Sequence, residues 1–471
     1  MPSTSAKRTK VIIVGGGISG IKAALELQKH GLDYIILEAK DRLGGRLNTV
    51  QGINTKYDLG ASWYHETLNN PLFDEEVNLS VEGEEPKWFY DDAPIKVINE
   101  NGVLPPFLKL ESIAQEILKF IEIENYKDLE KDQSLYDTVV KYMKLKKHLL
   151  STDQILQVSQ YIRSLELWHG IDSKSLSSKF SSVDNEGRNA LALHYDTLLK
   201  RHTEKLDFDK VILESPIKSL VKTERGKKVE AITEANDCIK GDYAIVAIPQ
   251  SILQIPEEAK GHIKFEPDLP PNIKASLKVV HYGALGKVIF EFSHCYWPTD
   301  SERILALSRP PEGLLHAIEN DLDAPFTSNE IPKTWDYPTL ILNYATSFKK
   351  NSLVMITQSP LTEYLERNPD KAWEFFKPVV KVIAQKASDA EIDLPINQIV
   401  SQWTLDPYQR GSYSACFPGD DPLVPIIALE QGFGNIRFAG EHTILEGAGC
   451  VHGAWNSGIR EAQYIIDQTI K

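Results

Sequence analysis

Gly15, Gly17 and Gly20 stand in the spacing G-x-G-x-x-G, and an acid, Glu38, follows 18 residues after the last of them. This set can hold a dinucleotide. Gly15 permits a tight turn, Gly17 lets the backbone approach a pyrophosphate, and Gly20 lets a helix pack closely on a sheet. The first N–H groups of that helix then face the phosphate charge. Glu38 can accept hydrogen bonds from both hydroxyls of an adenosine ribose, and its charge would repel a 2′-phosphate. A second glycine pair with a cation, Gly44-Gly45-Arg46, follows within eight residues of Glu38. A nicotinamide enzyme has no need of it. FAD, bound extended, does: Arg46 would neutralise phosphate charge, and Gly44 and Gly45 would admit the chain beyond the pyrophosphate.

The elements that must position these residues are legible beside them. Val11–Val14 is a buried-type apolar run. Ile21, Ala24, Leu25 and Gln28 recur at a helical period that stops at Gly31. Tyr34–Leu37 is the next apolar run, closed by Glu38. Strand, glycine turn, helix, strand and distal acid all fall where the motif requires them, so the spacing predicts a Rossmann-like α/β unit that binds FAD.

At 471 residues the chain has room for two or three domains of about 150 residues each. Hydrophobic and charged contents of 42% and 25% are those of a globular protein with a large core. A net charge of −14 argues against nucleic acid and suits a cationic small substrate. The basic segment Met1–Lys10 leads into a strand rather than a signal-peptide core, and no run reaches the length of a membrane span. The terminal Gln468-Thr469-Ile470-Lys471 is not a peroxisomal signal. Cys238, Cys295, Cys416 and Cys450 are scattered and form no CxxC, so no metal site is expected and a reducing, cytoplasmic setting is.

Further along, Glu76–Asp92 is acidic and irregular, and Ser112–Leu198 is helical in pattern. Val211–Gln250 reverts to strands, ending in the apolar Tyr243–Ile248. Leu277–Phe292 reads as two antiparallel strands around Gly283. Leu361–Ala387 is helical, Ile436–Gly440 a strand, and Gly447–Ile470 a terminal helix. The pattern predicts a discontinuous FAD-binding domain from residues 8–75, 205–275 and 420–471. An α+β substrate-binding domain would come from 76–204 and 276–419.

Beyond the glycine fingerprint, six segments carry a resemblance: DLGASWYH (58–65), LELWHG (165–170), GRNA (187–190), HYGALGKVIF (281–290), RGSYSACFPGDD (410–421) and RFAGEHT (437–443). In this order and over nearly the whole chain, they resemble the flavin amine oxidase family, and within it the yeast polyamine (spermine) oxidases. The resemblance implies a polyamine substrate in a tunnel, with O2 as the oxidant. It places Lys287 near the flavin through a water; read from the residues, Lys287 interrupts an apolar strand and falls where alternation allows either face. It sets Trp403, Tyr408 and Tyr413 against flavin and substrate, and Trp168 on the tunnel wall. Ile217 would contact adenine through its backbone, and Glu441, before the terminal helix, would belong to the cofactor site. His65 would orient the reacting nitrogen, Asn189 would assist, and Asp91 or Asp92 would bind a distal ammonium, with Asp92 preferred.

Departures from the family pattern matter as well. Where monoamine oxidases carry a flavin-linked cysteine, this chain has Ser412, which implies non-covalent FAD. His452 replaces an aromatic and Asn185 a histidine, which changes the expected shape and charge of the tunnel. Two competing classes remain: a different amine oxidase, such as a monoamine oxidase or a histone lysine demethylase, against which Ser412 weighs, and a flavin-fold protein that binds an apolar ligand, such as a steroid, with little or no amine turnover. Oligomeric state is not legible.

Overall fold

A computed structural model describes residues 7–81, 87–127, 132–181, 187–279, 281–327, 329–388 and 391–469. The arrangement is α/β. The runs Val11–Val14, Tyr34–Leu37 and Tyr243–Val246 are strands, as is Ile436–Phe438, and all lie parallel with Val211–Ile212 in one five-stranded sheet. Parallel strands need both faces covered, which explains runs that are apolar at every position rather than at alternate ones. Helix Ile18–Lys29 covers this sheet and packs against the terminal helix Val451–Thr469. The two helices touch at glycine: a Cβ on Gly458 would sit 2.3 Å from the Ser19 carbonyl oxygen. A second five-stranded sheet holds the meander Ile217–Thr223, Lys228–Thr233 and Cys238–Gly241.

The larger sheet has seven strands, in the order 397–400, 286–291, 352–357, 339–343, 303–306, 96–99 and 102–103. One face carries Ile289, Leu305, Leu342, Val354 and Ile356 toward the helices between residues 110 and 162. The other carries Val288, Phe290, Ile304, Ile341 and Met355 toward helix Ala372–Ile383. The segment Leu277–Phe292 is not the expected hairpin. His281–Tyr282 pairs with Ser414–Ala415, whereas Gly286–Glu291 pairs with Ser352–Thr357 and Asn397–Val400. Gly283 separates the two because it packs against another segment: a Cβ there would lie 2.3 Å from the His169 carbonyl.

A three-stranded sheet completes the frame. Ala190–Ala192 lies between Trp63–Tyr64 and Trp88–Tyr90, antiparallel to both. Ala190 stands opposite Tyr64 on one side and Tyr90 on the other. One step further along, the same register sets Asn189 abreast of His65 and Asp91. No helix among the described residues is long and apolar enough to cross a membrane.

Candidate active site

A cavity of about 590 Å³ opens at the carboxyl ends of the parallel strands, where ligands bind in open α/β sheets. Its walls include Glu38, the glycine turns, Arg46, Lys287, Tyr413, Trp168 and His65.

The Glu38 end is made largely of backbone. Gly15 has φ of +102°, and a Cβ there would strike the Ala247 carbonyl at 2.5 Å. Gly20 is tighter still: its Cβ would sit 2.1 Å from the Gly15 oxygen and 3.2 Å from Ile13. Gly17 is different, since a Cβ there would meet nothing within 4 Å. It caps helix Ile18–Lys29 without a side chain, so the helix start faces the cavity bare. Gly44 and Gly45 also have positive φ, and Gly44 N–H donates to the Gly16 carbonyl at 2.8 Å, which docks the second glycine turn on the first. Glu38 accepts from Gly16 N–H (2.6 Å) and Lys40 N–H (2.9 Å), one bond to each carboxylate oxygen. Burial pushes its pKa up against those bonds. Each oxygen keeps a lone pair for a ligand hydroxyl. Ile217 starts its strand on the wall beside Ser215 and Pro216.

These residues fit an extended FAD. The open side of Gly17 and the uncapped helix start are a cradle for a pyrophosphate, with Glu38 beyond it. Gly449, Cys450 and Val451, where the terminal helix begins, line the same cavity. Arg46 lines the same cavity. Its guanidinium binds Glu441 Oε1 (3.0 Å) and the Ser412 carbonyl (2.5 Å), so its charge is shared with a protein carboxylate. Burial works to raise the Glu441 pKa, but Arg46 and the Ser414 hydroxyl prevail and hold it low.

Lys287 sits on the strand face shared with Ile289, toward the cavity, and is 4% exposed. Its ammonium donates to three oxygens: Asp58 O (2.7 Å), Gly60 O (2.7 Å) and Ser62 Oγ (2.5 Å). A buried charge needs such partners. Burial still pushes its pKa down to about 8, while Asp58 pulls the other way; burial lifts Asp58 itself to about 6. The segment that Lys287 holds is clamped twice more. Trp403 Nε1 donates to the Leu59 carbonyl (3.0 Å), and a Cβ on Gly60 would overlap the Arg46 oxygen at 1.8 Å. Sequence reading passed over Asp58, Gly60 and Ser62, although they lie inside the DLGAS motif.

At the other end, His65 Nδ1 lies 3.0 Å from Asn189 Oδ1, the pairing that the strand register imposes. An amide oxygen accepts, so Nδ1 carries a proton, and in the neutral ring Nε2 then has the lone pair. Burial pushes the His65 pKa down, outweighing Asn189 and Glu66, which favours the neutral ring. Trp168 stands 5.6 Å from His65, ring centre to ring centre, and Tyr413 donates its hydroxyl to the Trp168 carbonyl. Asn189 supports His65 from behind and is not itself on the cavity wall.

Of the expected substrate contacts, one lies at the Glu38 end of the cavity and two lie off its wall. Tyr408 packs beside Gly261 and Lys260, within electrostatic reach of Glu38, and so belongs to the Glu38 end. Asp92 is half-exposed and paired with Arg188 on the surface, away from the cavity wall. Its neighbour Asp91 lines the cavity and is held by Arg303 (3.2 Å). Alternation along an extended segment sends neighbouring side chains in opposite directions. His452 is 3% exposed and turns away from the cavity, because Gly447, Glu66 and Asn70 enclose its ring. It therefore does not present a face to an amine. Asn185 lies outside the described residues.

Known proteins resemble this chain over almost its full length. Residues 18–466 match the family described as flavin-containing amine oxidoreductases. A protein of Candida albicans named corticosteroid-binding protein is 36% identical over 99% of this chain and 97% of its own length. Polyamine oxidase 5 of Oryza sativa subsp. japonica is 25% identical over 98% of this chain and 88% of its own. Polyamine oxidase 2 of Arabidopsis thaliana is 26% identical over 96% and 87%. With a cradle that fits the cofactor and a match across almost its full length, the chain belongs to the flavin-containing amine oxidoreductases, and its cofactor is FAD held without a covalent bond.

Proposed function

We propose that this protein is a polyamine oxidase. It takes spermine or an N-acetylated polyamine and oxidises a carbon next to a secondary nitrogen. Bound FAD supplies a two-electron acceptor for hydride, and O2 accepts those electrons in turn. Water cleaves the resulting iminium, so the products are an aldehyde, a shorter amine and hydrogen peroxide.

The observation that carries this reading is the buried His65, held through Nδ1 by Asn189 and set beside Trp168. The reacting nitrogen must be uncharged, because its lone pair stabilises the developing iminium. A neutral imidazole with its Nε2 lone pair available can accept an N–H from that nitrogen, and the indole face tolerates an amine and its alkyl stem. Asn189 holds the tautomer, and Lys287 holds the Asp58–Ser62 segment under the reacting region. The reading includes a cytosolic setting, resting on the scattered cysteines. It also includes a division of labour in which residues 8–75, 205–275 and 420–471 bind FAD and the rest shape the tunnel.

A peroxide assay against a panel of mono-, di- and polyamines tests it. Peroxide with spermine or an acetylated polyamine is the expected result, and its absence with every amine overturns the proposal. A second reading is supported by the relative named corticosteroid-binding protein and by the apolar wall of Leu285, Leu305, Leu340 and Ile356. In it the cavity holds a steroid with little amine turnover. Equilibrium binding of a labelled corticosteroid, saturable and displaced by no amine, would favour that reading.

A further inference from the structure

Four carboxylates line the cavity, and three are occupied by the protein. Arg46 pairs with Glu441, Arg303 pairs with Asp91, and backbone N–H groups hold both oxygens of Glu38. Glu66 is different. Its partner among the described residues is His452, whose Nε2 lies 3.0 Å from Glu66 Oε2.

The tautomer of His452 follows from a helix cap. Asn70 begins helix Pro71–Asn78, and its Oδ1 accepts from the N–H groups of Leu72 and Phe73, both at 3.1 Å. That fixes the amide orientation, so Asn70 Nδ2 is the atom 3.4 Å from His452 Nδ1. An amide N–H only donates, so Nδ1 accepts and Nε2 carries the proton toward Glu66. Glu66 thus receives a hydrogen bond on one oxygen from a ring that needs no charge to give it. Its other oxygen, Oε1, has no partner among the described residues, and the side chain, 22% exposed, belongs to a residue that lines the cavity. Glu66 also holds φ of +54°, a left-handed conformation that is costly for a residue with a Cβ. The Asn69 N–H closes the turn on the Glu66 carbonyl at 2.9 Å.

We propose that Glu66 selects for polyamines over monoamines. Resting on the amine-oxidase reading above, it binds the protonated nitrogen next along the substrate from the one at His65, and His452 is the positioning residue that aims its carboxylate. Adjacent residues on one cavity wall then divide the work. His65 takes the neutral, reacting nitrogen, and Glu66 takes the charged one. Desolvated in this way, a carboxylate–ammonium hydrogen bond is among the stronger single contacts a small ligand can make.

The test is anaerobic equilibrium dialysis of the FAD-loaded protein with labelled spermine and with a dialkyl secondary monoamine of matched length. Glu66→Gln should lower the ratio of spermine to monoamine affinity by roughly 10–100-fold, the scale of one lost charge-assisted hydrogen bond. His452→Leu should lower the ratio by at least about 3-fold, because it frees the carboxylate to swing. His452→Gln, which keeps an N–H donor, should stay nearer wild type. An unchanged ratio in Glu66→Gln overturns the proposal. If Glu66→Gln fails to retain FAD, an unchanged ratio in His452→Leu overturns it instead. Flavin reduction, followed in parallel, separates the two claims. Turnover with an unchanged ratio defeats Glu66 alone. A wild type that oxidises no amine defeats the enzyme reading and leaves dialysis to decide Glu66, and one that does not bind spermine defeats both.

Discussion

The two ends of the cavity are built from different materials. Around Glu38 the contacts are backbone N–H groups, glycines and one carboxylate, drawn mostly from residues 15–46. Around His65 they are mostly side chains, of Trp63, His65, Glu66, Asp91, Trp168, Lys287 and Tyr413, brought together from distant parts of the chain. A backbone cradle has little freedom and accepts no substitution where a Cβ would overlap an oxygen. A side-chain wall can change one residue at a time, with graded effects on reactivity and selectivity. The same fold can therefore keep one cofactor while its substrate varies.

The largest effect should come from breaking the cradle. Gly20→Val places atoms on the Gly15 carbonyl, where even a Cβ would lie at 2.1 Å. Overpacking of this kind costs about 1–3 kcal/mol or more, and it falls where the helix meets the glycine turn. Flavin content, read as the ratio of flavin to protein absorbance, should drop roughly 10-fold or more. Near-normal flavin in this variant would mean that the glycine turns do not set cofactor binding.

Lys287 lies where the two regions join. Lys287→Met should keep FAD but slow turnover by roughly 10²–10⁴-fold, as for loss of a positioned polar group. Its pH behaviour sharpens the point. The ammonium has three N–H donors for three oxygens, and above its pKa of about 8 one oxygen loses its donor. Wild-type kcat should fall as pH rises through that value, and the alkaline limb should be absent from Lys287→Met. A limb that persists in the variant belongs to another group.

A smaller effect is expected on the side-chain wall. Asn189→Leu leaves His65 Nδ1–H without its acceptor and frees the ring to turn. The expected loss in kcat/KM is roughly 10-fold, with flavin content unchanged. Wild-type kinetics would mean that His65 is oriented by something else.

The smallest effect concerns the two aspartates. Asp92→Asn removes a half-exposed pair with Arg188, and exposed pairs contribute about 0–1 kcal/mol at most, less in salt. Its kcat/KM for spermine should change by less than about 2-fold. Asp91→Asn, which uncouples Arg303 on the cavity wall, should change it more. The reverse order would restore Asp92 to the substrate site.

Local physics settled much of this protein in advance. The strand–turn–helix–strand of residues 11–38 follows from apolar runs, a helical period and glycines within one short stretch, and the acid at its end follows from the same spacing. The function of Gly15, Gly17 and Gly20 is a property of backbone conformation, which a residue type without Cβ announces directly. Lys287 was visible as a charge in an apolar strand. What period-2 alternation could not say was which face it took, because both faces of that strand are buried. That choice rests on the helices packed against each side. His65, Asn189 and Asp91 stand in a row only because antiparallel register sums their positions correctly across a sheet whose strands are far apart in the chain. Nothing near any one of them encodes the other two. The orientation of His452 was decided further away still, by an asparagine that caps a helix nearly four hundred residues earlier, and with it Glu66 acquired its aim. Backbone sites are written locally because their geometry is local. Side-chain constellations are not, because the distances that define them exist only once the sheets have chosen their neighbours.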